Sequence, residues 1–195
     1  MRAISAIVPA AGLSSRFGGP NKLLQPWGDM TVVGAVVRTL LDCGLRVVVV
    51  TGRDADLVAK AVEPARAVFN PRFEEGLGAS IAAGVAASGP VAGFLIALGD
   101  MPGLQEGTVR ALLTEFEGSP PDSIWAPVYA GEPDRPGHPM LFGSAYREAL
   151  QALTADEGAR RIVRANRDKL RLLPVPGDLN DLDRPGDQLP PTRLN

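Results

Sequence analysis

Apolar runs of strand length alternate with stretches of helical periodicity along the whole chain. The strand candidates are Ala3–Pro9, Leu45–Thr51, Arg66–Asn70, Val91–Leu98, Ser123–Val128, Met140–Phe142 and Leu170–Pro176. The helix candidates are Val32–Cys43, Asp54–Val62, Ala79–Ala87, Glu106–Glu117, Ser144–Leu153 and Gly158–Asn166. The runs Val47–Val50 and Gly93–Leu98 have no polar alternation, which is typical of strands buried on both faces of a parallel sheet.

This alternation predicts the α/β class: a single doubly wound, mostly parallel sheet with helices on both faces and right-handed crossovers. The first helix has Thr31 available as its N-cap and Gly44 as its stop. The segment Gly131–Pro139 lies between two short strand signals and predicts a small β-hairpin or flap. We expect residues 1–189 to form one domain and residues 190–195 a flexible tail.

Composition narrows the class of protein. The apolar fraction of 45% and charged fraction of 22% in 195 residues are those of a globular domain. A net charge of −2 provides no basic face, so nucleic acid is not an expected partner. The longest apolar runs are too short to cross a bilayer, and the chain enters a strand at once without a signal peptide. The lone Cys43 is expected to be a core thiol in a cytoplasmic protein without disulfides.

The turn after the first strand is built from residues that bind phosphate. Glycines at 12, 18 and 19 let the backbone approach an anion, while Ser14 and Ser15 add hydroxyl donors. Arg16 and Lys22 supply positive charge for phosphate oxygens. The spacing is neither that of the Rossmann turn nor that of the P-loop. We therefore predict a triphosphate site of a third design.

The strand candidate Val91–Leu98 is followed by the tetrapeptide Gly99-Asp100-Met101-Pro102. Ligands of doubly wound sheets bind beyond the carboxyl ends of the strands, where the strand order reverses. If this strand neighbours the first, Asp100 faces the triphosphate, and a divalent cation is needed between them. Mg²⁺ binds through one or two carboxylates plus substrate phosphates, so Asp100 is a candidate metal ligand, with Mn²⁺ as the alternative ion. The alternative role for Asp100 is a turn residue before proline.

The residues 8–22 resemble the N-terminal motif of the MobA-like NTP-transferase family. That motif reads Leu-x-Ala-Gly-x-Ser-x-Arg-Met-Gly and is followed by Lys; here Pro9 and Phe17 depart from it. Gly-Asp-Met-Pro resembles the metal-binding motif of the family, and the resemblance extends to Asp187. It implies a nucleotidyltransferase with a nucleotide-diphospho-sugar transferase-like fold. The nucleotide-binding residues it implies are Ala10, Ala11, Gly12, Ser14, Arg16, Lys22 and Asp100.

Three further segments resemble family elements that line the same cleft. Asn70, Gly76 and Ser80 match a segment that lines the nucleotide base pocket; an N-cap near Ser80 is the alternative. His138 lies in a Gly-His-Pro that the family positions toward the second substrate, where a catalytic or acceptor-binding role is implied. Arg160, in a variant of Gly-Asp-x-Gly-Ala-Arg with Ala155 first, is placed to hold an acceptor phosphate. Exposed helical arginines and a solvated loop histidine are the alternatives.

An acidic segment near the end of the chain resembles the C-terminal Asp-x-Asp-Thr-Pro-x-x-Asp of the family, with Arg184 in place of Thr. Its Asp181 and Asp183 are candidates for a second metal ligand, and spacing does not choose between them. The alternative is an aspartate-rich turn that caps a short helix at Pro185.

Within the family the pattern is closest to the molybdenum cofactor cytidylyltransferase branch, because Ala10-Ala11-Gly12 stands where the guanylyl branch has Ala-Gly-Gly. The resemblance implies CTP and a molybdopterin-type phosphorylated acceptor as substrates, with handover of the product to a molybdoenzyme as an option. Three alternatives remain open. They are transfer from GTP or onto a sugar phosphate, an oxidoreductase on the same scaffold, and a non-enzymatic carrier of the pterin cofactor.

Overall fold

The computed structural model describes residues 2–12, 20–130, 135–154 and 158–176. Within these ranges, seven strands form one sheet in the order β5-β4-β1-β6-β8-β7-β9, and β8 runs antiparallel to both of its neighbours. The mostly parallel sheet confirms the predicted fold class. The strands of the sheet are β1 (Ile4–Ala10), β4 (Arg46–Thr51), β5 (Arg66–Phe69), β6 (Gly93–Ile96), β7 (Ile124–Val128), β8 (Met140–Gly143) and β9 (Leu170–Pro174).

Two helical layers cover the sheet, because its central strands are apolar on both faces. On β4, Val47 and Val49 join the core on one side, and Val48 and Val50 join the core on the other. The first core takes residues from α1 (Val32–Asp42), α2 (Ala55–Ala61) and α4 (Glu106–Phe116). The second takes residues from α3 (Leu77–Ala87), α5 (Arg147–Gln151) and α6 (Arg160–Ala165).

The strand order reverses at β1. The chain leaves β1 through α1 toward β4 on one side, whereas it leaves β6 through α4 toward the side of β8 and β7. β1 and β6 are parallel neighbours, with Ile4 opposite Gly93 and Ile7 opposite Ile96. The carboxyl ends of β1 and β6 therefore border the crevice in which doubly wound sheets bind their ligands.

Local signals fixed the first helix as predicted. The Thr31 hydroxyl accepts a hydrogen bond from the Gly34 N–H at 3.1 Å, which is the N-cap interaction. The helix ends at Asp42, and Gly44 follows it with a φ of +78°. Cys43 is buried in the core against this helix, and burial raises the pKa of its thiol.

Several boundaries differ from those that the sequence predicts. The run Val91–Leu98 is strand only over Gly93–Ile96, although the Ala92 and Ala97 N–H groups still donate to carbonyls of residues 3 and 7. The stretch Ser144–Leu153 divides into a 3-10 turn, Ser144–Tyr146, and the short helix α5. A two-stranded hairpin of β2 (Pro26–Trp27) and β3 (Met30–Thr31) was not predicted, since two-residue strands leave no periodic signal.

The hairpin or flap predicted at Gly131–Pro139 lies partly outside the described residues, and the strands on either side of it, β7 and β8, form an antiparallel pair. Among the described residues, no helix is long and apolar enough to cross a membrane.

Candidate functional site

The chain is buried where it leaves β1. Ala10 and Ala11 are buried, and the chain then emerges at Gly12. A Cβ built on Gly12 would meet no atom of the described residues within 4 Å. The end of β6 lies next to the end of β1, because a Cβ on Gly99 would stand 3.0 Å from the Pro9 carbonyl oxygen. The ends of β1 and β6 thus form two adjacent walls of one crevice.

Lys22 and Asp100 meet across this crevice. The Nζ of Lys22 lies 2.6 Å from Oδ2 of Asp100, and the two side chains are 23% and 24% exposed. Lys22 opens a 3-10 turn, Lys22–Leu24, and Asp100 lies in the turn after β6. The prediction that these two residues share one site rested on β1 and β6 being neighbours, which the sheet order confirms. An ammonium and a carboxylate, each partly open to solvent, therefore lie side by side where ligands of this fold bind.

Asp100 has the donor chemistry that a hard divalent cation requires. Its carboxylate oxygens are of the type that Mg²⁺ and Mn²⁺ prefer, and one such ligand is sufficient when substrate phosphates provide others. Within the described ranges no three His, Cys, Asp or Glu side chains are grouped as a metal site. The residues present fit an ion carried in with a phosphorylated substrate better than a site built wholly from protein ligands.

Asn70 and Ser80, both predicted to contact the base, are buried and bonded to each other. The Nδ2 of Asn70 lies 3.4 Å from the Ser80 Oγ, and its Oδ1 accepts from the Arg72 N–H at 3.0 Å. Ser80 lies inside the first turn of α3, whose N-cap is Gly76 with a φ of +110°. The alternative of an N-cap at Ser80 is therefore wrong. The pair ties the end of β5 to the start of α3.

Gly52, directly after β4, lies between Ala11 and the ring of Phe73. A Cβ at this position would stand 2.5 Å from Phe73 Cβ and 2.8 Å from Ala11 Cβ. We expect Gly52→Ala to lower the free energy of unfolding by about 1–3 kcal/mol, because overpacking displaces one wall. Urea unfolding would measure this, with Gly107→Ala as the matched control. Gly107 lies in α4 with nothing within 4 Å of its built Cβ, so that substitution should be neutral or stabilising. Equal effects of the two substitutions would contradict the packing argument.

His138 lies beside the carboxyl end of β6, as the loop enters β8. Its Nδ1 is 3.4 Å from the Ile96 carbonyl oxygen, and its own carbonyl accepts from the Tyr129 hydroxyl at 2.8 Å. The pKa of His138 is lowered, and burial is the main cause. The Ile96 carbonyl and the Asp100 carboxylate act in the opposite direction and raise the pKa, whereas the positive charge of Arg160 lowers it further. The structure therefore brings His138 within electrostatic range of both Asp100 and Arg160.

A depressed histidine pKa makes stability depend on pH in a defined direction. Below the ordinary value of 6.5, the unfolded chain binds a proton at His138 that the folded chain resists. This contribution therefore lowers stability at acid pH, and it vanishes as pH rises through 6.5. We expect the free energy of unfolding to rise less steeply with pH in His138→Gln than in the wild type. Urea titrations below and above that pH test this, and identical slopes would contradict it; the chain has a single histidine.

Some predicted residues lie outside the described ranges: Ser14, Arg16, Asp181 and Asp183. Two residues that sequence reasoning missed lie beside Lys22. Asn21 is buried next to it in the chain, and Asp54 accepts a hydrogen bond from the Asn21 amide at 3.2 Å. Asp54 was not singled out because the predicted helix Asp54–Val62 includes it as an ordinary first residue, whereas the helix begins at Ala55. Its position three residues after the end of β4, at the ligand-binding edge, was the available signal.

An ammonium and a carboxylate at the switch point of a doubly wound sheet suit a phosphorylated ligand and its divalent ion. The model of the MobA-like NTP transferase domain matches residues 6–170. The chain therefore belongs to this family and is a nucleotidyltransferase of the MobA-like class.

Curated relatives carry two different names. The chain is 34% identical over 166 residues to nicotine blue oxidoreductase of Paenarthrobacter nicotinovorans, covering 83% of this chain and 81% of the relative. It is 33% identical over 144 residues to molybdenum cofactor cytidylyltransferase of Escherichia coli K12, covering 72% and 70%. The family assignment is common to both comparisons, whereas the names differ in reaction type.

A solved structure resembles the whole fold. The crystal structure of Rv0371c in complex with manganese, from Mycobacterium tuberculosis H37Rv, superposes with a TM-score of 0.77. The two chains are 27% identical, and the alignment covers 93% of each.

Proposed function

We propose that this chain transfers CMP from CTP to the phosphate of a molybdopterin-type acceptor and releases pyrophosphate. The observation that carries this proposal is the 2.6 Å pair of Lys22 Nζ and Asp100 Oδ2 between the ends of β1 and β6. An NTP with its cation offers complementary charge to both groups, since phosphate oxygens suit the ammonium and a divalent ion suits the carboxylate.

The reaction makes modest demands on the protein. A phosphate oxygen of the acceptor attacks the α-phosphorus in line, a new P–O bond forms, and the bond to pyrophosphate breaks. The attacking group is already an anion, so no strong general base is needed, and catalysis consists of positioning and charge compensation. In this proposal Lys22 and Arg16 hold the β- and γ-phosphates, while His138 and Arg160 face the acceptor.

Asp100 is the proposed ligand for Mg²⁺ or Mn²⁺. A bound ion would neutralise charge on the α-phosphate as a Lewis acid. The manganese in the Rv0371c structure, on the same fold, supports a divalent ion of this size. Asp181 and Asp183 remain candidates for a second carboxylate.

His138 contributes a neutral side chain at the proposed acceptor subsite. If Nδ1–H donates to the Ile96 carbonyl at 3.4 Å, Nε2 is left as an acceptor. Burial keeps the imidazole uncharged near neutral pH by lowering its pKa. Arg160 then supplies the positive charge that an acceptor phosphate requires.

The choice of CTP rests on the wall beside the turn. Ala11 is buried, and its methyl group lies over Gly52, close to Phe73. A glycine at position 11 would leave room for a larger base, so Ala11 favours a pyrimidine. The cytidylyltransferase of Escherichia coli among the relatives supports the same nucleotide and, through its name, the molybdenum cofactor as acceptor.

Pyrophosphate release with each of the four NTPs, Mg²⁺ or Mn²⁺, and with or without a molybdopterin-type acceptor tests the proposal. We expect release only with CTP plus that acceptor. Release with GTP, or with a sugar phosphate as acceptor, would keep the chemistry and replace the substrates. No binding of any NTP would overturn the proposal.

A second candidate is an oxidoreductase on the same scaffold, which the identity to nicotine blue oxidoreductase favours. The chain lacks the G-x-G-x-x-G turn of a Rossmann dinucleotide site, which argues against this candidate. Oxidation of NADH or NADPH in the presence of an oxidised aromatic acceptor, without dependence on Asp100, would bring it forward. Cofactor binding with neither activity would indicate a pterin carrier.

A further inference from the structure

Asn21, the residue before Lys22, forms hydrogen bonds through both the oxygen and the nitrogen of its side-chain amide. Asn21 is 4% exposed, and its Oδ1 accepts from the Leu23 N–H at 3.1 Å, which caps the 3-10 turn that begins at Lys22. Its Nδ2 donates to Asp54 Oδ2 at 3.2 Å. A buried amide that is bonded at both ends holds a fixed orientation, so Asn21 connects the backbone of Lys22 to the segment after β4.

Asp54, which makes this contact, is unusual in its backbone conformation and in its role at the start of α2. It has φ +56° and ψ +36°, and it is the one non-glycine residue in the described ranges with a positive φ. It also stands at the N-cap of α2 without capping it, although an aspartate there ordinarily accepts a backbone N–H of its own helix. A positive φ is uncommon outside glycine, asparagine and aspartate, and non-glycine residues in this conformation are concentrated at functional sites.

The carboxylate that does not cap α2 is directed elsewhere. Its Oδ2 accepts from Asn21 and lies 3.5 Å from Nε of the neighbouring Arg53. The Asp54 side chain therefore bonds to Asn21 instead of to the backbone of its own helix.

We propose that Asp54 and Asn21 are positioning residues for Lys22, which set the origin of its side chain so that Nζ meets Asp100. This proposal rests on the function proposed above. Leu23 is buried on the other side of Lys22, so the turn is held by its side chain on one flank and by the Asn21–Asp54 bond on the other. A lysine side chain is long and flexible, and a shift of about 1 Å at its backbone is enough to weaken a catalytic contact substantially.

Two substitutions at Asp54 separate this role from a local structural one. Asp54→Asn and Asp54→Gly both remove the charge, and both tolerate a positive φ. Only asparagine keeps an oxygen that can accept from the Asn21 amide. A residue needed merely for the left-handed turn would be replaced equally well by either, and glycine would remove the strain.

The test measures the dissociation constant of CTP with Mn²⁺, the turnover number and the melting temperature of the full chain. We expect Asp54→Asn to stay close to the wild type. Asp54→Gly should bind CTP about tenfold more weakly and turn over more slowly, with an unchanged or higher melting temperature. Equal binding and turnover in the two variants would overturn the proposal.

A second readout does not depend on the nucleotide. The chain has three lysines, at positions 22, 60 and 169, so an NMR spectrum of ¹³Cε-labelled lysine is simple to assign. The Lys22 signal should stay in place in Asp54→Asn and shift toward that of the exposed Lys60 in Asp54→Gly. A Lys22 signal that is unmoved in Asp54→Gly would overturn the positioning role, whereas failure of the wild type to bind any NTP would overturn the proposed function instead.

Discussion

Asp100→Asn should reduce the rate of pyrophosphate release by about 10³-fold while leaving the fold intact. The amide keeps the shape of the carboxylate but lacks the charge that a divalent ion requires. Both partners of the Lys22–Asp100 pair are about a quarter exposed, at 23% and 24%, so the pair contributes little to stability. Measuring kcat across Mg²⁺ and Mn²⁺ concentrations, together with urea unfolding, checks both halves of this expectation.

Asp122→Asn is a matched control for that substitution. Asp122 pairs with Lys169 at 3.1 Å, and this ion pair lies just before β7 and β9. Because β7 runs parallel to β6, the pair is at the edge of the sheet opposite the crevice. Removal of its charge should leave turnover unchanged. A soluble Asp100→Asn enzyme with near-normal turnover, or an equal loss in the control, would remove Asp100 from the proposed site.

Much of the fold could be predicted because strands that are buried on both faces of a sheet have a continuous run of apolar residues in the sequence. The run Val47–Val50 has no polar residue, and in the structure alternate valines of β4 enter opposite cores. The cap at Thr31 and the stop at Gly44 are local effects, so they were readable before any tertiary contact was known. Strand ends were less predictable, because Ala97 and Leu98 remain apolar after the β6 ladder ends.

The sequence predicted which strands border the candidate site, but it did not predict the direct contacts between the side chains there. The prediction that Lys22 and Asp100 share a crevice needed only the adjacency of β1 and β6. Their direct contact depends on the 3-10 turn after Asn21, whose three residues carry no periodic signal. Asp54 was not predicted for another reason: it was counted as the first residue of a helix, and its long-range hydrogen bond with Asn21 leaves no local sequence signal.

Lys22→Met should weaken CTP binding and lower turnover, with a combined loss of about 10²-fold or more in kcat/KM. Methionine keeps an unbranched side chain of similar length but cannot donate to phosphate oxygens or compensate the Asp100 carboxylate. Lys169→Met is the matched control, since it removes a lysine from an ion pair at the far edge of the sheet. Steady-state kinetics at varied CTP, with thermal unfolding of each variant, measure the effect.

The double variant of Lys22→Met with Asp100→Asn tests whether the two residues act on the same bound NTP. Residues that act together on one bound NTP lose function non-additively, so the double variant should be little worse than Asp100→Asn alone. If Lys22 and Asp100 instead served separate steps, the two losses would multiply. A Lys22→Met enzyme with unchanged KM and kcat would show that the 2.6 Å pair is only a surface ion pair, and the nucleotide site would have to be sought elsewhere on the sheet.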